Sequence, residues 1–168
     1  MNINELRISI KEYIKNNLVE EDTLIESFFN KIEDAVSFNA APMFGSAAYE
    51  KGSFEPDESF SECLIRMIDE KGLLDPDVYK KANIDRKLFN HIKNDIDYHP
   101  SKQTAVALAL GMELNIDETD TLLERAGFVL SNSSKFDLII KYCIENNIYD
   151  IYQINEILLE EDQKTLGY

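Results

Sequence analysis

The chain has no run of about 18 consecutive apolar residues, so no part of it is expected to cross a bilayer as a helix. It has no Cys-x-x-Cys pair. Cys63 and Cys143 stand 80 residues apart, each in an apolar helical stretch, and are expected as buried, reduced thiols. A Gly-rich phosphate loop, GxSxG and HExxH are all missing, so no catalytic residue, metal or cofactor is expected, and the chain does not read as an enzyme. Alternating apolar–polar runs bounded by turn residues are lacking, which argues against strands. Basic residues are scarce: 17 Lys and Arg face 32 Asp and Glu, for a formal net charge of −15. That balance argues against broad nonspecific binding to nucleic acid or anionic lipid. The opening MNINELRISIKEYIKNN has no basic segment followed by an apolar block, so it does not read as a secretory signal, and a cytoplasmic location is expected.

What the chain does have is helical periodicity. Hydrophobic residues make up 44% of its 168 residues, an ordinary share for a globular protein. Leu6, Ile10, Tyr13, Ile14 and Leu18 form one stripe of a helix over 4–17. Leu24, Ile25, Phe28, Phe29, Ile32, Ala35 and Val36 do the same over 21–38. Together they predict an N-terminal helical hairpin over 1–40, whose apolar stripes each need a covering surface. Pro42, Gly45, Gly52 and Pro56 then mark a linker over 41–57.

From residue 58 to 130 the turn signals predict five short helices. Phe60, Cys63, Leu64, Met67 and Ile68 share a stripe closed by Gly72. Asp75-Pro76 reads as an N-cap with proline at the first helical position, opening a helix that runs to about Ala82. Asn83 suits a left-handed turn, and Asp85 caps a helix over 86–94 with Phe89 and Ile92 inward. Pro100-Ser101 opens a helix with Ala105, Leu108, Ala109 and Met112 inward. Asn115-Ile116-Asp117 starts a fifth, which ends at Gly127. An extension over 131–168 adds two more helices: 135–145 opened by Ser134, and one capped by Asp150. The closing EEDQKTLGY is expected to be at most partly ordered.

Charge is not spread evenly. Between Lys80 and Lys102 lie six basic residues (80, 81, 86, 87, 93 and 102), three aspartates (85, 95 and 97) and both histidines. That window carries +3 and leaves −18 for the rest. The outer face of helix 86–94 would present Arg86, Lys87, Asn90, His91 and Asn94. Arg and Lys suit guanine and Asn suits adenine. Lys80, Lys81, Lys93 and Lys102 would then contact phosphates. His91, Asp95, Asp97 and His99 could be drawn as a metal site, but their spacing fits no strong ligand pattern, and polarity of the helix and loop accounts for them. Ser59 and its neighbours beside acidic residues read as caps.

Residues 74–101, LDPDVYKKANIDRKLFNHIKNDIDYHPS, resemble the core of the Cro/repressor-type (XRE-like, lambda-repressor-like) helix-turn-helix family. Ala82-Asn83-Ile84 stands for that family's Ala-Gly-Val turn, and Pro100-Ser101 for its loop end. TAVALALGMELNIDETDTLLERAGF stands for its fourth and fifth helices. The resemblance implies an all-α fold: a five-helix lambda-repressor-like core, here with an N-terminal hairpin and two C-terminal helices. It also implies a DNA-binding transcriptional regulator that reads double-stranded DNA through helix 86–94, as a homodimer on two half-sites. Residues 59–167 are also similar to a bacterial module found at the end of multidomain proteins, including macrodomain proteins, which implies regulation or tethering. Asp75, Tyr79, Asp95 and Asp97 depart from the family pattern, and the carboxylates add repulsion near a phosphate backbone. They keep open a protein-interaction module of antitoxin or adaptor kind that retains the fold and binds a protein partner.

Overall fold

A computed structural model describes residues 2–19 and 58–167. The described residues are all-helical, with eight helices and no strand: α1 (Ile3–Asn17), α2 (Phe60–Glu70), α3 (Asp75–Lys81), α4 (Arg86–Asn94), α5 (Lys102–Gly111), α6 (Ile116–Arg125), α7 (Lys135–Glu145) and α8 (Ile151–Glu160). The helix expected over 21–38 and the linker over 41–57 lie outside the described residues. None of the eight helices is long and apolar enough to cross a membrane.

Local chemistry sets the boundaries. Asn2, Ser59 and Asn115 each form a capping box, with Glu5, Glu62 and Glu118 reaching back to the cap amide. Ser101, Ser134, Asp85 and Asp150 cap α5, α7, α4 and α8 through their side chains. One start differs from expectation. Asp75 is the first residue of α3 and not its cap; Leu74 holds the cap position and offers no side-chain bond. The cause is visible across the fold: the Asp75 carboxylate is turned to Lys93, whose Nζ lies 2.7 Å from its Oδ2.

Six helices close in the same way, with a left-handed residue just past the cap and a backbone bond from the next residue to a carbonyl five positions earlier. At α3 the residue is Asn83 at φ +50°, with Asn83 N donating to Lys80 O and Ile84 N donating to Tyr79 O. Gly72, Glu113, Gly127, Asn147 and Asp162 do the same for α2, α5, α6, α7 and α8. Helix α4 ends otherwise, in extended backbone at Asp95. Ser61 of α2 holds that end, its hydroxyl lying 2.6 Å from Ile92 O and 2.8 Å from Asp95 O.

The stripe of α1 finds its cover within the chain. Helix α1 and residues from Glu58 onward belong to one compact unit, in which α1 packs on α7 with Leu6, Ile10 and Ile14 buried. Tyr13 meets Tyr142 edge-on at 5.2 Å and donates to Glu145 at 3.1 Å. Arg7 reaches Glu160 of α8 at 2.6 Å.

At the centre lies α5, in contact with α3, α6 and α8. Every residue from Ala105 to Gly111 is buried, Val106, Ala107 and Leu110 included. A one-sided helix was the expectation; the difference arises because α8 covers a further side of α5. Gly111 permits the close approach of α3, since an added Cβ would lie 2.8 Å from Val78 O and 2.9 Å from Ala82 Cβ.

The closing segment also departs from expectation, being anchored where partial order was expected. Leu166 is fully buried, and both of its backbone groups pair with the Asn155 amide at 2.8 and 2.9 Å. Gly167, at φ +75°, lies so close to the α3–α4 turn that a Cβ there would sit 2.7 Å from Asn83 O and 2.9 Å from Ala82 O.

Candidate nucleic-acid interface

Helix α4 is fixed from beneath. Phe89 and Ile92 are fully buried, and Tyr79 of α3 packs its ring 5.6 Å from that of Phe89. Asp85 Oδ1 accepts from Lys87 N at 2.7 Å and Leu88 N at 3.0 Å, so the first turn is pinned as well. This leaves Arg86, Lys87, Asn90, His91 and Asn94 exposed on the outer side. Their chemistry is less uniform than their exposure. Asn94 Nδ2 donates to Asn90 O at 2.7 Å, so its amide is turned onto its own helix. His91 stands 3.9 Å from Asp95 and edge-on to Tyr98 at 5.1 Å, toward the far end of α4.

The four lysines expected at phosphates divide sharply. Lys81 pairs with Glu113 at 2.6 Å. Lys93 pairs with Asp75 and lies 5.9 Å from the Phe89 ring centre. Lys102 points to Asp137, a carboxylate only 2% exposed, and lies 2.6 Å from Oδ1 and 2.7 Å from Oδ2. Each would have to leave a carboxylate to meet a phosphate. Lys80 has no ionic or hydrogen-bonding partner among the described residues, and neither do the Arg86 and Lys87 side chains. These three cations, at the end of α3 and the start of α4, bracket the turn.

Sequence reasoning missed a neighbour of that turn. Tyr152, on the first turn of α8, lines an open groove of about 500 Å³ with Lys80, Asn83, Asp85 and Arg86. No local signal marks it, because its position depends on how α8 is seated. The preceding Ile151 is buried, and Tyr149 donates to Leu114 O at 3.1 Å.

Among the described residues no three His, Cys, Asp or Glu side chains converge as metal donors. His99 Nδ1 instead donates to Asp97 O at 2.6 Å. The two cysteines are buried and unpaired. Burial pushes the Cys143 thiol up to about 12, and burial, with Glu58 nearby, pushes Cys63 up to about 11. Neither offers a thiolate nucleophile near neutral pH. Comparison with protein-family models, with curated proteins and with solved structures finds no match to this chain.

Proposed function

We propose that the chain is a helix-turn-helix protein of the Cro/repressor-like kind, a cytoplasmic transcriptional regulator that binds double-stranded DNA through α4. The observation that carries this reading is the placement of the unpartnered cations. Lys80, Arg86 and Lys87 gather around the N-terminal end of α4, while the other lysines of the basic island are paired with carboxylates of the same chain. In a helix-turn-helix complex that end of the second helix meets the base edges. Arg86 and Lys87 would read guanine, Asn90 adenine, and Lys80 a flanking phosphate. So few cations give weak binding by one protomer, and a homodimer on half-sites about 34 Å apart would double them. Selection from a randomised duplex library tests the proposal. It should enrich a guanine-containing half-site, and Arg86→Ala should relax the preference at one position. No enriched sequence would defeat it.

A second reading is favoured by the same ion pairs. With Lys81, Lys93 and Lys102 committed to carboxylates, the surface of a chain at −15 has little general attraction for polyanions. A protein-binding module of adaptor or antitoxin kind would need no more than that. It predicts that added duplex leaves the backbone amide NMR signals of α4 unmoved.

A further inference from the structure

Two helix starts converge on one groove. Arg86 is the first residue of α4 and Tyr152 the second of α8, and both line the cleft beside the α3–α4 turn. The convergence is built into the backbone. Asn155 of α8 grips Leu166, and Gly167 then presses on the carbonyls of Ala82 and Asn83, so α8 is tied to the turn itself. Tyr152 is 66% exposed, its hydroxyl has no hydrogen-bond partner among the described residues, and the preceding Ile151 is buried. A ring held in this way beside the start of α4 either touches whatever α4 binds or obstructs it.

We infer that Tyr152 is part of the nucleic-acid interface and that its hydroxyl donates to a phosphate of the duplex read by α4. The inference rests on the DNA-binding reading above and extends the surface beyond the five short helices to α8. Tyrosine hydroxyls are regular phosphate donors, and they position a protein without specifying sequence. Charge in the groove favours an anionic occupant. Lys80 and Arg86 are unpartnered, whereas Asp85 and Asp150 each have a carboxylate oxygen accepting two amides of their own helix. Those amides carry the positive end of the helix dipole and offset part of the aspartate charge.

Binding to a labelled mixed-sequence duplex, measured across a salt series, tests this. Tyr152→Ala and Tyr152→Phe should both weaken binding, by roughly tenfold for loss of a hydrogen bond to a charged group. The dependence on salt should not change, because tyrosine releases no counterion. Lys80→Ala, which removes a phosphate contact, should flatten that dependence in parallel. If Tyr152→Phe binds like wild type, the hydroxyl contact is wrong. If Tyr152→Ala binds tighter, the ring obstructs DNA and the inference is overturned. Absence of any salt-sensitive binding by wild type is a different result: it removes the DNA reading, and this inference with it.

Discussion

Lys102 Nζ lies 2.6 and 2.7 Å from the two oxygens of Asp137, and Ser131 N donates to the same carboxylate at 2.9 Å. The pair joins the start of α5 to the first turn of α7. Lys102 was expected at a phosphate as part of the basic island; in the fold it supplies the counter-charge of a buried carboxylate. Lys102→Met should therefore act on stability. Leaving one member of a buried pair uncompensated costs about 3 kcal/mol, somewhat less here because Lys102 is only partly buried. Urea denaturation reads the loss. Wild-type stability in the variant would show that the pair contributes nothing.

Gly167 should tolerate no side chain. Its φ of +75° and the carbonyls of Ala82 and Asn83 both oppose a Cβ. Gly167→Ala is expected to cost about 1–3 kcal/mol. It should also raise hydrogen exchange at Asn83 and Ile84 more than at the α7 amides. Uniform exchange in the two regions would show that the closing segment does not brace the turn.

Acid should weaken the fold partly through Glu58. Arg66 donates to its two oxygens at 2.7 and 3.0 Å, and these bonds hold the Glu58 carboxyl below the usual glutamate range. A folded-state value below the unfolded one gives stability that is present above the unfolded pKa, roughly 4.3, and is lost as pH falls through the lowered value. Glu58→Gln should then be less stable than wild type near pH 6, with the difference closing as pH falls below the glutamate range. Urea midpoints across that range check the sign, and a gap that stays constant with pH would contradict it.

Much of the helical order was legible because caps and turns announce themselves. Ser59, Asp85, Ser101, Asn115, Ser134 and Asp150 sit where their side chains accept from the first turn, and Asn83 and Gly127 where left-handed backbone is cheap. Glu113 adopts the same conformation without a residue type that signals it, so that end could not be read locally. Burial was legible as stripes only where a helix has one covered side. Val106, Ala107 and Leu110 are buried because α3, α6 and α8 all pack on α5, and the α8 contact joins segments far apart in the chain. The candidate interface was legible as a list of cations but not as a surface. Whether a lysine faces solvent or a carboxylate is decided by Asp75, Glu113 and Asp137, none of which adjoins its partner in sequence. Tyr152 was invisible for the same reason.

The central claim is that Arg86 and Lys87 at the start of α4 contact DNA. A salt titration of binding to genomic DNA fragments, wild type against Arg86→Ala/Lys87→Ala, tests it most directly. Wild type should bind at about 50 mM salt and weaken linearly in log–log form as salt rises, and the double variant should bind more weakly at every salt concentration. No salt-sensitive binding by wild type at about 50 mM, with the double substitution silent, would contradict the account.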